Sequence, residues 1–108
     1  MSNSYRDLIV WQKAVALSLK IYQATEAFPK HEFYGLAGQI RRASVSIACN
    51  IAEGQGRNSK GEFHHFLGMA KGSLLEVETQ LLIGTKLAYI SAPKSMELEK
   101  IAKKSLGF

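Results

Sequence analysis

The sequence is poor in the residues that build disulfide frameworks, metal sites and membrane spans. Its 108 residues include one cysteine and two prolines. No apolar run approaches the ~20 residues that a transmembrane helix needs. A single cysteine excludes a disulfide framework and a cysteine-rich zinc site, and the absence of clustered Cys/His spacing predicts no metal and no cofactor. The polar segment Met1–Asp7 is unlike a secretory signal, so we expect a soluble cytoplasmic protein with no membrane partner.

Candidate catalytic groups are also sparse. His64 and His65 are adjacent and would diverge by about 100° on a helix. The glycines of segment 54–57 (GQGR) follow a predicted helix rather than a strand, which favours a helix cap over a phosphate-binding loop. Cys49 lies among small apolar residues, which is typical of a buried small hydrophobe rather than a nucleophile. The sequence therefore predicts that the protein is not an enzyme.

What the chain does have is positive charge and an ordinary apolar content. Fourteen Lys and Arg against nine Asp and Glu give a formal charge of +5, and 46% of the residues are hydrophobic. That composition is typical of a folded domain, and the length fits a single domain over 1–108. A positive balance is typical of proteins with an acidic partner, most often nucleic acid, and is also compatible with solubility alone.

Apolar residues recur at three- and four-residue steps over most of the chain, which predicts helices. Pro29 and Pro93 cannot lie inside helices and divide the pattern. Ser59 and Glu62 form a capping-box pattern at the start of the longest stretch. With no strand signal and short connections, the pattern predicts an all-α fold, an antiparallel up-down four-helix bundle. The predicted helices cover about 7–28, 32–54, 60–89 and 93–105.

The third predicted helix carries two apolar stripes where a bundle helix needs one. Leu75, Leu82 and Tyr89 are spaced by seven and lie about 100° around the helix from the main heptad seam. Either a wide core edge covered by a neighbouring helix or a subunit interface would explain the second stripe. These three residues are the candidate interface of a homo-oligomer.

Some polar residues fall at positions that should face the core, and two glycines fall within a predicted helix. Asn50 and Glu53 continue the apolar stripe of the second helix, and Gln80 adjoins the seam of the third. Because buried polar groups are costly unless paired, we expect these three to form a structural polar network, with a ligand pocket as the alternative. Gly68 and Gly72 each cost about 1 kcal/mol of helix propensity against Ala. A tight contact with another backbone would be a physical reason for them.

Basic residues form the candidate nucleic-acid site. Three share a seven-residue spacing on the outer side of the first helix, although Arg6 joins them only if the helix extends that far. Two are adjacent on the second helix, and two flank the turn into the third. Helix N-termini also favour anions. Because most aromatic residues fall on apolar stripes, we expect phosphate contacts with weak sequence readout, and a solvated basic face is the alternative. The candidates are Arg6, Lys13, Lys20, Arg41, Arg42, Arg57 and Lys60.

Blocks along nearly the whole chain resemble one known family. They are YRDLIVWQKA from residue 5, FP from 28, YGL from 34, QIRRA from 39, SI from 46, NIAEG from 50, GR from 56, GSL from 72 and ETQL from 78. They resemble the four-helix-bundle proteins encoded in intervening sequences of bacterial large-subunit ribosomal RNA genes. The pair AC at residues 48 and 49 departs from the family, which more often has a proline there.

The resemblance implies a left-handed up-down bundle and a ring of five subunits. It also implies similarity to the basic accessory protein of diversity-generating retroelements, which works with a reverse transcriptase and nucleic acid. We therefore predict a non-enzymatic oligomeric protein that binds RNA or DNA through phosphate contacts, with a reverse transcriptase or another protein as a further partner. The alternative is a structural module that binds other proteins and has no nucleic-acid partner.

Overall fold

A computed structural model describes residues 4–106, so the predicted domain ends, 1–3 and 107–108, lie outside the described residues. Within this range the chain forms four α-helices and two short 3₁₀ turns, with no strand, which confirms the all-α prediction. The 3₁₀ turns cover Tyr5–Asp7 and Lys30–Glu32, and the helices are α1 (Ile9–Thr25), α2 (Leu36–Gln55), α3 (Lys60–Lys86) and α4 (Ala92–Ser105).

Helix α1 is shorter at both ends than the hydrophobic periodicity indicates, and α2 begins four residues later than predicted. Ser4 caps the first 3₁₀ turn by accepting a hydrogen bond from the Arg6 N–H, and extended Leu8 separates this turn from α1. At the start of α2, the Glu32 carboxylate accepts a hydrogen bond from the Leu36 N–H at 2.9 Å. The side chain of a residue outside the helix thus satisfies one of its unpaired N–H groups.

The third helix ends three residues before the predicted limit. Ala88 has a φ of 62°, and the Tyr89 N–H donates to the Gly84 carbonyl at 2.9 Å, which closes the helix end and turns the chain. The prediction that Tyr89 extends the stripe of Leu75 and Leu82 along α3 is therefore wrong. Periodicity missed this because Tyr89 keeps the heptad spacing after the backbone has left the helix.

Tyr89 instead joins the loop between α3 and α4 to the loop before α2. Its ring lies 5.4 Å from that of Phe28, and its hydroxyl donates a hydrogen bond to the Glu32 carboxylate at 3.0 Å. The hydrogen bond raises the pKa of Tyr89. The pKa of Glu32 is lowered, first by the Leu36 N–H and then by the Tyr89 hydroxyl. Tyr89 is a structural residue of this end of the molecule.

The core lies between all four helices, and each contributes fully buried apolar side chains. Helix α1 packs on α2 and α4, and α3 packs on α2 and α4, while α1 and α3 do not approach each other. Such a cycle of neighbours encloses one hydrophobic core. The largest fully buried apolar side chains are Leu17, Ile21, Ile40, Ile47, Ile51, Val77, Leu81 and Leu98.

Helices α2 and α3 pack closely because small residues lie between them. A Cβ added at Gly54 would lie 2.9 Å from Cβ of Phe66 and 3.2 Å from the ring of Phe63. Further along, the Ser73 hydroxyl donates to the Ser46 hydroxyl at 3.0 Å. Gly54 therefore allows a close backbone approach that no larger residue would permit without displacement.

Candidate nucleic-acid interface

The seven predicted basic residues do not form one surface. Lys13 and Lys20 are exposed on α1, and the charge of Lys20 reaches α4. The pKa of Glu97 is lowered chiefly by its 2.9 Å hydrogen bond from Lys94 and by that residue's charge, with a smaller contribution from Lys20. Lys20 therefore faces the side of α1 that packs against α4.

Helix α4 adds three lysines to this side of the bundle. Lys94 pairs with Glu97. Lys103 lies on the other side of α4, where it lines a hollow with Leu75 of α3 and is 3.7 Å from Glu99. The remaining charged residues of α1 and α4 are five lysines and one glutamate, which we call the α1–α4 face. Its members are Lys13, Lys20, Lys94, Glu97, Lys100 and Lys104.

Arg6 is not part of the first helix. It lies in the 3₁₀ turn before α1, and its guanidinium is 5.9 Å from the centre of the Tyr5 ring. The sequence places Arg6 on the stripe of Lys13 and Lys20 only if the first helix extends that far. It does not, because extended Leu8 interrupts the helical geometry.

Arg41 is half-buried and joins α1 to α2. Its Nε donates to the Thr25 hydroxyl at 2.8 Å, and its Nη2 donates to the Tyr22 carbonyl at 3.1 Å. The guanidinium also lies 4.7 Å from the centre of the Tyr22 ring and 5.6 Å from that of Phe33. Because these contacts use two of its hydrogen-bond directions and its flat face, Arg41 is a structural clamp rather than a free phosphate ligand.

The adjacent Arg42 is exposed and points elsewhere. It lines a cleft of about 280 Å³ between α2 and α3, together with Gln39, Glu76 and Gln80. Neighbouring residues on a helix differ in direction by about 100°. The two adjacent arginines thus have different environments, which the sequence pattern does not predict.

Arg57 and Lys60 lie where α2 ends and α3 begins. Arg57 forms ion pairs with Glu53 at 2.9 Å and Glu62 at 3.7 Å. Its guanidinium is also 5.0 Å from the centre of the Phe66 ring. Two carboxylates beside one guanidinium make the Arg57 site a poor anion receptor. Lys60 is the exposed first residue of α3.

The cap of α3 occupies part of the helix N-terminus proposed for anions. The Ser59 hydroxyl accepts a hydrogen bond from the Glu62 N–H at 3.1 Å, which confirms Ser59 as the N-cap. The Glu62 carboxylate lies beside Arg57. A negative side chain in the first turn already complements the helix dipole and competes with a bound phosphate.

The predicted polar network of Asn50, Glu53 and Gln80 is not one network. Asn50 donates from Nδ2 to the carbonyl and the hydroxyl of Ser46, and Ser73 donates to that same hydroxyl. This network joins α2 to α3, and sequence reasoning missed its two serines because serine is common on solvated faces as well. Glu53 lies outside it and pairs with Arg57.

Gln80 also lies outside this network. Its Oε1 is buried beside the α2–α3 cleft and accepts no hydrogen bond from the part of the chain that the structure describes. An unsatisfied buried carbonyl costs free energy. Gln80 is therefore a polar group of the cleft rather than a member of a satisfied network.

The second apolar stripe of α3 remains uncovered. Leu75 and Leu82 are 53% and 56% exposed, and neighbouring Ile83 is 43% exposed. A Cβ added at Gly68 or Gly72 would meet no atom within 4 Å. The alternative of a core edge covered by a neighbouring helix is thus wrong for Leu75 and Leu82, and neither glycine is explained by packing within the chain.

Cys49 is exposed, so the prediction that it is buried is wrong. It lines an apolar groove of about 420 Å³ between α1 and α2, with Trp11, Val15, Leu19 and Tyr22 among the other lining residues. The sequence favoured burial because small apolar residues surround Cys49 along the chain.

Residues 4–106 contain no group of three or more His, Cys, Asp or Glu placed to hold a metal ion. Of the helices in this range, none is both long enough and apolar enough to cross a bilayer.

Comparison with known proteins identifies one family. Residues 6–106 match the family model described as 23S rRNA-intervening sequence protein. No curated protein matches the chain. The family match spans all four helices and includes every candidate residue discussed above.

Proposed function

Because the chain belongs to the 23S rRNA-intervening sequence protein family, we propose that it is a non-enzymatic oligomeric protein that binds RNA or DNA through the lysines of the α1–α4 face. The observation that carries this proposal is the charge of that face, five lysines against one glutamate. Lys13, Lys100 and Lys104 form no ion pair among residues 4–106, so their charges are free for an external anion.

The expected mode of binding is contact with phosphates. Lysine ammonium groups on long side chains bind phosphates as mobile point charges and read no base edges. Of the aromatic residues of α1, Trp11 and Tyr22 line the groove on the α2 side and are not on the α1–α4 face. Affinity should therefore depend strongly on salt and weakly on sequence.

Oligomerisation would strengthen such binding. Each copy repeats the same lysines, and linking several weak sites raises the overall avidity without any new contact. Exposed Leu75 and Leu82 support the oligomer part of the proposal. The ring of five subunits stays a prediction from the family resemblance, as does the similarity to the retroelement accessory protein.

We also propose that the four helices form a left-handed, antiparallel up-down bundle. Helix α3 has 27 residues and is therefore about 40 Å long. The longest dimension of the described chain is 46 Å. If α3 continued in the direction of α2 after the short connection 56–59, the two helices together would exceed this length. The contacts of Ser46 with Ser73 and of Gly54 with Phe66 support opposite directions for α2 and α3, because the partner number rises as the α2 number falls from 54 to 46.

A cytoplasmic location is part of the proposal. The single Cys49 is an exposed free thiol, which is typical of a reducing compartment. Ribosomal RNA, named in the description of the family, would be available there.

A salt titration tests the nucleic-acid proposal. Binding of a single-stranded RNA and of a duplex DNA is measured at several salt concentrations for the full chain and for the double variant Lys13→Ala/Lys20→Ala. The slope of log affinity against log salt should be steep and negative. It should become shallower in the variant by about 0.7 per lost contact on a single strand or about 0.9 on duplex DNA.

Lys30→Ala/Lys86→Ala is the matched control for the titration. It removes the same charge from exposed positions outside α1 and α4, so its salt slope should stay that of the original chain. No binding at low salt would refute the nucleic-acid proposal and favour the alternative, a module that binds a protein such as a reverse transcriptase. Equal loss of slope in both double variants would refute the assignment to the α1–α4 face.

A further inference from the structure

Helix α3 presents an uncovered apolar ridge. Leu75 and Leu82 are two turns apart and more than half exposed, and Thr79 lies between them. Ile83 adds a further exposed apolar side chain beside Leu82. We call these four residues the α3 ridge. Gly72 precedes the ridge by three residues and has open space above it, so another backbone could approach closely there.

An apolar groove lies between α1 and α2. The groove described above is concave, holds about 420 Å³, and has no charged residue in its lining. Two of its side chains, Leu19 and Tyr22, are 62% and 43% exposed. The Ser18 hydroxyl is buried in this α1–α2 groove and has no hydrogen-bond partner among the described residues.

The ridge cannot fill the groove of its own chain. Helix α3 does not approach α1 within the bundle, and the groove opens on the α1–α2 edge while Leu75 lies toward α4, beside Lys103. An exposed apolar ridge and an apolar groove thus lie on different sides of one molecule. Only a second copy can bring them together.

We propose that the α3 ridge of one copy docks into the α1–α2 groove of a second copy. The inference rests on the oligomeric part of the proposed function and names the two surfaces involved. The groove has no charged residue in its lining, and the charged neighbours of the ridge, Lys71, Glu76 and Glu78, flank it and would lie at the rim of the contact. The half-exposed Leu75, Leu82 and Ile83 together offer roughly 300 Å² of apolar surface. That fits the apolar core of a contact of about 800 Å² per partner.

The contact is heterologous, and this has a measurable consequence. A dimer made in this way leaves one free ridge and one free groove, so further copies add until the assembly closes or extends. A contact between two α3 ridges would instead be isologous and would stop at a dimer. The two arrangements differ in which residues lie close together across the contact.

Cross-linking from the native cysteine distinguishes these arrangements. Cys49 is exposed in the groove, and Thr79→Cys places a second thiol on the ridge. The Thr79→Cys chain is treated with a short-spacer bismaleimide and separated on a denaturing gel. We expect a ladder of three or more linked copies, because each copy carries one thiol on each docking surface.

Two single-cysteine chains are the matched controls. The unmodified chain has only Cys49, and Cys49→Ser/Thr79→Cys has only the ridge thiol. Neither should give products above background dimers. Strong dimers from the ridge thiol alone would overturn the heterologous contact in favour of an isologous one.

Sedimentation separates failure of this inference from failure of the proposed function. Oligomers without a ladder in the Thr79→Cys chain would overturn the ridge-in-groove contact and leave oligomerisation standing. A monomer at every concentration would overturn both, whereas nucleic-acid binding is judged independently by the salt titration. Leu82→Glu should give a folded monomer, while Met96→Glu, at an exposed residue of α4, should leave the assembly unchanged.

Discussion

Adjacent Arg41 and Arg42 provide a direct test of how the bundle is held together. The first is clamped between α1 and α2, and the second is exposed beside the α2–α3 cleft. We compare Arg41→Met with Arg42→Met, because methionine keeps an apolar stem of similar length and removes the guanidinium. Both changes lower the net charge by one, so any difference in stability comes from local contacts.

The cost of Arg41→Met can be worked from its contacts. Each hydrogen bond from a charged donor contributes about 1.5 kcal/mol at the lower end of the usual range, which suits a half-buried side chain. Arg41 makes two such bonds, to Thr25 and Tyr22, and stacking on the Tyr22 ring adds about 0.5 kcal/mol. Allowing for screening by solvent, we expect a loss of about 2 to 3 kcal/mol. Arg42→Met should change stability by less than about 0.5 kcal/mol.

Urea unfolding followed by circular dichroism measures both values at one protein concentration. In a thermal scan the Arg41 variant should unfold about 10 °C below the original chain. Equal unfolding free energies for the two variants would refute the clamp. The result also bears on binding, because Arg41→Met should alter nucleic-acid affinity only through stability, at temperatures where the variant begins to unfold.

Two further predictions concern packing and pH. Gly54→Ala places a methyl group 2.9 Å from Phe66 and should destabilise the chain by about 1 to 3 kcal/mol. Gly68→Ala adds a methyl group in open space on α3 and should stabilise the chain by about 0.5 to 1 kcal/mol in chemical unfolding. If both variants changed the free energy of unfolding in the same direction, the packing described would be contradicted. Because the pKa of Glu32 is lowered from 4.5 by a backbone N–H and by Tyr89, its contribution to stability is complete above about pH 4.5 and is lost as the pH falls through the folded-state pKa. In urea titrations between about pH 5 and pH 3, the original chain should therefore lose stability more steeply than Glu32→Gln, and parallel pH profiles would exclude this role.

Much of the fold is predictable from local sequence features. The three- and four-residue recurrence of apolar residues predicts all four helices, and Ser59 caps α3 as its sequence pattern indicates. These features depend on contacts within a few residues, which sequence spacing describes directly. Helix ends are less predictable, since Tyr89 keeps helical spacing while Ala88 turns the backbone at a positive φ.

The candidate site was predictable only as a list of charges. Spacing placed Lys13 and Lys20 together on α1, but it carried no information about α4 lying beside them. Nor did it show that Arg57 is held by two carboxylates. Pairing between charges depends on which helices become neighbours, and a single helical wheel does not contain that information.

By itself, the sequence determined that this protein is an all-α, basic chain of the intervening-sequence family. It also determined that α3 carries a second apolar stripe beside the one that faces the core. Only the tertiary structure decided which of its charges are free. Arg41 clamps two helices, whereas Lys13 is exposed and forms no ion pair among residues 4–106. The physical reason is that helix periodicity records the direction of a side chain, while its partners are set by the packing of helices distant in the chain.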